Sequence, residues 1–424
     1  MEMTRCSRVS RTALVAAVLC VSAPQAQQHR MSMPDATIVT VTAENGVPEI
    51  PFELVNNHLI LPISVNGSKP LRVVLDTGMP APGLALFDGP KVESLSLDID
   101  PAMQVPIRGA GGEGAHRMAK IAMRESLALD GLRIEQIQII LMPPHIGFGG
   151  YHDGIIGYSL LGRFVVELDY DRQVVRLHDP ESYELSEDAE DAEDAGDAHV
   201  VPLTLRNRLP YITVGVTPYG GSPLNAEVVV DLGASHAISL NTDESDEIAV
   251  PDESLTTTLG RGLSGVVEGE VGRIAVLRLG GASLHDVVTS FPVSAHQNPR
   301  EVDSLAGNLG SDVLRRFHII FDYKGGRMIL RPNESFRDRF RFDRSGLRLL
   351  PGADLEVERV IPGSPAEEAG VRVNDVVTHV NGESVSGGDY GEIVKALKGD
   401  GQIRLSLRRG EATLEKTLTL RRLI

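Results

Sequence analysis

Hydrophobic positions along this 424-residue chain recur mostly at every second residue, the period of a half-buried strand. Residues 58–65 (HLILPISV) alternate, a Gly67-Ser68 turn follows, and 71–75 returns as a second strand, which predicts a hairpin. Residues 211–216 and 226–230 repeat that pattern later in the chain. Two further strands are predicted at 117–129 and 132–141, around Asp130-Gly131. Residues 160–163 and 313–316 are long enough only for a short helix. Each leads into an apolar run (164–168 and 317–321), a turn and a last strand (174–177 and 328–330). Beyond residue 346 the pattern changes. Residues 363–371 read as a loop into a one- to two-turn helix, and 374–382 as a turn, a strand and a hairpin turn. Residues 389–398 place Ile393, Val394 and Leu397 on one helical face, and 403–407 and 413–420 alternate as closing strands.

The early strands come in two matching sets. Val73-Val74-Leu75-Asp76-Thr77-Gly78 is an apolar strand ending in an Asp at a Gly turn, and Val228-Val229-Val230-Asp231-Leu232-Gly233 repeats it 155 residues on. Ile155-Ile156-Gly157 is echoed by Asn308-Leu309-Gly310, and the offset is 153 residues at Gly157/Gly310, Phe164/Phe317 and Asp169/Asp322. Landmarks in one order at a near-constant offset imply a duplication. The fold class expected is mainly β, with two tandem β-barrel lobes forming one bilobal domain and a smaller α+β module behind them.

Composition narrows the function. Hydrophobic residues are 42% and charged residues 23%, enough for an ordinary globular core. Trp is absent, aromatics are 4% and Gly numbers 43, which favours short strands and tight turns over an aromatic ligand groove. A net charge of −17 argues against nucleic acid and anionic lipid as partners. Both cysteines, Cys6 and Cys20, lie in the first twenty residues, so a disulfide framework and thiolate metal chemistry are excluded. Arg5, Arg8 and Arg11 precede an apolar run at 13–23 that is too short to span a bilayer. It reads as an export signal over 1–26, with an uncleaved anchor as the alternative. The expected location is periplasmic or secreted, with no membrane span in the mature chain. Residues 184–197 hold eight acidic residues and no basic one, the composition of a solvated linker. Calcium binding is the sharper reading, but the oxygens lack a spaced coordinating loop. His145 and His152 with Asp153 are too few for a convincing metal site, so no metal and no cofactor are assigned.

The paired Asp turns carry the candidate chemistry. Duplicated lobes related by an approximate two-fold can bring Asp76 and Asp231 together. Two carboxylates at close range share one proton, so one can take a proton from water while the other polarises a peptide carbonyl. Gly78 and Gly233 permit the tight backbone, and the Thr77 hydroxyl can brace the opposite turn. The Gly-rich segments 109–114 and 260–265, with Gly111, Gly112, Gly262 and Ser264, read either as plain hairpin loops or as flaps closing over an extended peptide. Serine catalysis lacks its elbow motif at Gly157-Tyr158-Ser159 and at Gly310-Ser311. His116, His236 and His318 read as surface or satisfied histidines.

Over residues 50–332, Asp76-Thr77-Gly78, Ile155-Ile156-Gly157, Asp231-Leu232-Gly233-Ala234-Ser235 and Asn308-Leu309-Gly310 resemble the pepsin/retropepsin aspartic proteases, most of all the two-lobed retropepsin-like bacterial enzymes that carry a PDZ domain. The resemblance implies an acid-protease bilobal fold in which Asp76 and Asp231 form the catalytic dyad, with Thr77 beside them. Gly157 and Gly310 would run beside the dyad loops. Three departures stand out: Leu232 in place of Thr or Ser, Met79-Pro80-Ala81-Pro82 in place of small residues, and Asn308 in place of an apolar residue.

Ser364-Pro365-Ala366, Ala369-Gly370, Asn374-Asp375-Val376 and Val380-Asn381-Gly382 resemble a PDZ domain of the bacterial protease-associated type. That resemblance implies a peptide C-terminus on the loop of Ser345, Gly346, Leu347, Arg348 and Leu349. Its last side chain would lie beside Ile393 and Leu397, and an extended peptide would add as a strand. The alternative is a module that only packs against the lobes. The segmentation expected is a signal peptide at 1–26, lobe 1 at 36–182, an acidic linker at 183–199, lobe 2 at 200–332, a second linker at 333–343 and the PDZ domain at 344–424. Phe336, Phe340 and Phe342 are expected to dock that second linker at the lobe–PDZ boundary, against the alternative of a flexible tether. The function implied is a secreted or periplasmic aspartic endopeptidase acting on peptides or unfolded proteins, for which a monomer suffices. The rival is a degenerate protease fold that binds peptides without turnover.

Overall fold

Strand-forming alternation and turn-forming Gly and Asn dictate the architecture of the computed structural model, which describes residues 37–107, 117–143, 151–184, 198–242, 247–263, 265–293, 306–350 and 352–424. The signal-like segment 1–26, the acidic run 185–197, Gly111, Gly112 and Ser264 lie outside the described residues.

The duplication is written in the sheet topology. In the first lobe the strands run in the order Leu132–Met142, Leu84–Phe87, Gly154–Ile156, Leu71–Leu75, His58–Val65, Arg117–Leu129, Ile99–Ile107. The second lobe repeats that order with Ala282–Pro292, Ile238–Leu240, Gly307–Gly310, Leu224–Asp231, Leu209–Pro218, Gly265–Leu279, Leu255–Gly262. Extra pairings of Leu132–Met142 with Arg117–Leu129, and of Ala282–Pro292 with Gly265–Leu279, curl each sheet toward a barrel. Central strands are apolar on both faces where both are covered, as Val73, Val74 and Leu75 are.

A six-stranded sheet joins the lobes. At its centre Val165–Asp169 pairs antiparallel with Phe317–Asp322, with Val166 opposite Phe321, Glu167 opposite Ile320 and Leu168 opposite Ile319. At the 153-residue offset Val166 is equivalent to Ile319 and Leu168 to Phe321. The pairing therefore exchanges equivalent residues, and an approximate two-fold axis passes between Glu167 and Ile320. One continuous apolar core runs through both lobes, from Ile50 to Phe340. The short helices after Gly157 and Gly310 are Tyr158–Leu161 and Ser311–Leu314, starting two residues earlier than the apolar pattern suggests because the chain turns directly at each Gly.

The C-terminal module has its own core, including Leu355, Leu405 and Leu418. Leu347–Leu350 is the edge strand of its sheet, and Tyr390–Leu397 is its longer helix. The connecting segment is held at many points. Phe336 meets Phe317 edge-on at 5.3 Å, Phe340 is 5% exposed, and Phe342 is half-buried. The fully buried Arg316 lies 3.7 Å over the Phe340 ring and donates to the carbonyls of Asp312 and Asp338, at 2.8 and 2.5 Å. Burial lowers the Arg316 pKa to about 10, opposed by Asp312.

Candidate active site

Leu71–Leu75 and Leu224–Asp231 each end at an aspartate turn, with Asp76 just past the first strand and Asp231 closing the second. A parallel neighbour flanks each strand: Gly154–Ile156 aligns Ile156 with Leu75, and Gly307–Gly310 aligns Gly310 with Asp231. Gly157 and Gly310 are obligatory there. A Cβ on Gly157 would sit 2.5 Å from the Met79 carbonyl oxygen, and one on Gly310 would sit 2.8 Å from that of Ala234.

The structure brings the two aspartate turns into contact. A Cβ on Gly78 would lie 2.8 Å from Asp231 Oδ1, and a Cβ on Gly233 would lie 2.6 Å from Asp76 Oδ1. Each carboxylate thus rests on the other turn's glycine, and only a residue without a side chain leaves that space. Each turn also closes on itself, the amide of Gly78 donating to Asp76 Oδ1 at 2.6 Å and that of Gly233 to Asp231 Oδ1 at 3.0 Å. Thr77, 2% exposed, donates its hydroxyl to the Val230 carbonyl at 2.7 Å and accepts from the Leu232 amide at 2.9 Å. Leu232 is fully buried and offers no hydroxyl in return, so the brace between the turns is one-sided.

Asp231 is more deeply set, at 9% exposed. Asn308 donates its amide to Asp231 Oδ2 at 2.6 Å. Burial lowers the His236 pKa, opposed by the nearby Asp231 and by hydrogen bonds with Asn308. Ser311 donates to the Leu232 carbonyl at 2.8 Å, and Ser159 to the Gly83 carbonyl at 2.8 Å, so both serines serve the backbone.

The turn before His58–Val65 reaches across from the first lobe. Asn57 donates to the Ser235 carbonyl at 2.8 Å, and His58 Nε2 lies 3.0 Å from the Gly233 carbonyl oxygen. His58 Nδ1 lies 2.6 Å from the Tyr151 hydroxyl. A carbonyl only accepts, so Nε2 carries the proton and Nδ1 accepts from Tyr151. Burial lowers the His58 pKa to about 4 and that of the adjacent His152 to about 3. Sequence reading missed His58 and Tyr151. The hairpin register shows the difference between the lobes: His58 stands opposite Val55 as Leu209 stands opposite Arg206, so a histidine occupies the place of the other lobe's leucine.

Gly262 pairs with Gly265 at the end of the hairpin formed by Leu255–Gly262 and Gly265–Leu279. That hairpin is engaged by the C-terminal module. Arg261 and Arg348 both bind the Glu358 carboxylate, at 2.5 and 2.7 Å, and Arg348 also donates to the Thr258 carbonyl at 3.3 Å. Of the residues expected at the module's peptide site, Ile393 and Leu397 are buried in its core. The Gly346 loop is capped from within: Asp343 accepts from the Ser345 and Gly346 amides, and Ser345 Oγ accepts from the Leu347 amide. Arg348 points to the second lobe, while Leu347 and Leu349 are buried. Burial raises the Asp343 pKa to about 6, against the pull of its hydrogen bonds to Ser345 and Gly346.

Residues 61–160 match the aspartyl protease family and residues 356–409 match the PDZ domain family. A 70-residue stretch is 42% identical to the probable CtpA-like serine protease of Staphylococcus aureus strains COL and N315, covering 16% of this chain and 14% of those relatives. The solved aspartic proteinase from Irpex lacteus is similar over 69% of this chain and 99% of its own, at 10% identity and a TM-score of 0.40. The chain therefore joins an aspartyl protease segment, which includes the first aspartate turn, to a C-terminal PDZ domain.

Proposed function

We propose that the protein is an aspartic endopeptidase whose water-activating pair is Asp76 and Asp231. The observation that carries this reading is the reciprocal packing of each carboxylate on the other turn's glycine. The two environments divide the labour. Asn308 holds Asp231 Oδ2 with an N–H, which favours Asp231 as the ionised partner that accepts a proton from water. Asp76 then carries the shared proton and polarises the scissile carbonyl, and the proton that Asp231 took from water passes to the leaving amine, which restores the singly protonated pair. Thr77 positions both turns without touching substrate. The hairpin ending at Gly262 serves as a flap that shields the cleft.

The substrates proposed are peptides or unfolded proteins outside the cytoplasm. The signal-like start motivates that location, and no helix among the described residues is long and apolar enough to cross a membrane. The PDZ module would receive an extended segment along the edge strand Leu347–Leu350, since the amides suited to a chain terminus are engaged by Asp343 and Ser345. The serine-protease name of the relatives does not change the reading. The match spans 14% of their length, and Ser159 and Ser311 are bonded to backbone rather than to a histidine.

A second reading, a peptide-binding scaffold without turnover, draws on Leu232 and on the occupancy of Asp231 by Asn308. The test is cleavage of an unfolded protein by the mature chain, alongside Asp76→Asn and Asp231→Asn. Each substitution should cost at least ~10³-fold in kcat. Activity surviving either one overturns the dyad, and an inert wild type that still binds peptide supports the scaffold.

A further inference from the structure

The PDZ helix reaches the dyad through three side chains that the aspartyl protease motif does not include. Tyr390, at the start of Tyr390–Leu397, stacks parallel on Tyr151, with centroids 5.9 Å apart and planes 7° from parallel. The next residue, Gly391, packs so closely that a Cβ there would stand 3.0 Å from Val55 Cγ1 in the first lobe. Tyr151 is anchored from below: its carbonyl accepts from Arg72 Nε at 2.7 Å, and Arg72 belongs to the strand that delivers Asp76. Its hydroxyl donates to His58, and His58 donates to Gly233, the glycine on which Asp76 rests. Ring stacking of this kind stabilises a pair beyond the area it buries. A displaced tyrosine would cost the His58 bond as well.

We propose that His58 and Tyr151 are positioning residues that hold the Gly233 turn in register with Asp76, and that the PDZ domain sets Tyr151 through Tyr390. Repositioning of the module by a bound peptide would then alter catalysis without any new contact in the cleft. In the second lobe Leu209 stands at the position of His58, so no equivalent chain is found among the described residues. This inference rests on the dyad reading for its kinetic consequence, and on the hydrogen-bond geometry for its structural one.

The experiment uses the full mature chain. Tyr151→Phe removes the hydroxyl that donates to His58 and also meets Asn56, and Tyr390→Ala removes the stack together with the ring's packing on the module's core. Each should lower kcat about 10-fold with KM within about 2-fold, since a small misplacement of reacting groups is costly. The double variant should lose little more than either single one, because both act on one chain of contacts. Tyr390→Phe keeps the ring and should restore wild-type kcat. In parallel, ¹⁵N-histidine spectra should show His58 protonated at Nε2, with the Nδ1 resonance moving in both Tyr151→Phe and Tyr390→Ala. Wild-type kcat in Tyr390→Ala together with an unmoved Nδ1 resonance overturns the proposal, as does a fully multiplicative double variant. If the wild type is inert while the Nδ1 resonance still responds to Tyr390→Ala, the protease reading fails and the contact chain stands.

Discussion

The two aspartate turns began as copies and now sit in different company. Around Asp76 the outer neighbour is Ile155, where the second turn has Asn308, and the ring of Tyr323 lies close enough that Asp76 helps to raise its pKa after burial. Around Asp231 are Asn308, His236 and, across the lobe boundary, His58. Thr77 braces the pair from the first turn, and Leu232 has no side-chain hydroxyl to brace it from the second. A symmetric fold thus presents an asymmetric pair, which is what separate acid and base roles require of two identical side chains. The second turn is also the one that His58 contacts, and through Tyr151 that contact reaches Tyr390 of the PDZ domain.

The largest effect that could break this comparison is acid loss of stability on the second-turn side. His58 has a folded pKa of about 4 against an ordinary 6.5, and His152 one of about 3. As pH falls below 6.5 the unfolded chain binds protons that the folded chain refuses, so stability present above 6.5 is lost down to about 4. For His58 alone the loss is about 3 kcal/mol. The groups facing it are Asp231, which opposes the shift, and His236, which adds to it, while His58 in turn lowers the pKa of His152, which also faces Asp153 and Arg72. Denaturation midpoints at pH 7.5 and 4.5 should differ strongly in the wild type and less in His58→Gln, whose amide still reaches Gly233. An equal difference in both would remove His58 from the account and leave the two turns alike in their pH response.

Much of this was legible in the chain. The in-phase repeat required paired Asp turns, and Gly78, Gly157, Gly233 and Gly310 mark positions where a side chain would collide with the opposing or adjacent turn. The PDZ motif located the module as well. What could not be read was contact between segments distant in sequence. His58 looked like the first residue of an alternating strand, and its partners lie 93 and 175 residues away. His236 looked satisfied, yet it stands beside Asp231 and Asn308. The Gly346 loop looked free to bind a peptide end because nothing in the pattern says that Asp343 folds back onto it.

Making the second turn resemble the first should have an intermediate effect. Asn308→Ile installs the type of residue that Ile155 supplies and strips the donor from Asp231 Oδ2. With the two carboxylates then nearly equivalent, kcat should fall about 10-fold and the acid limb of kcat/KM should move to higher pH. An unchanged profile would show that Asn308 supports the backbone and plays no part in dividing the roles. A rise in activity would show that its amide obstructs the site.

The smallest effect concerns the missing half of the brace. In Leu232→Thr the new hydroxyl would face the Leu75 carbonyl, the repeat equivalent of the Val230 carbonyl that Thr77 binds. Leu232 is fully buried, so the truncation costs about 1–3 kcal/mol in lost packing, partly offset by a new buried hydrogen bond of about 1 kcal/mol. The net expectation is a denaturation midpoint a few degrees lower with kcat about 2–5-fold higher, because the second turn becomes better fixed. Stability and activity moving in opposite directions is the signature of a brace that acts on geometry. If both fall together, Leu232 is a packing residue whose loss loosens the turn, and the single Thr77 brace already holds the dyad. If kcat rises several-fold, the one-sided brace limits this enzyme, and the difference between its two turns carries a cost in rate.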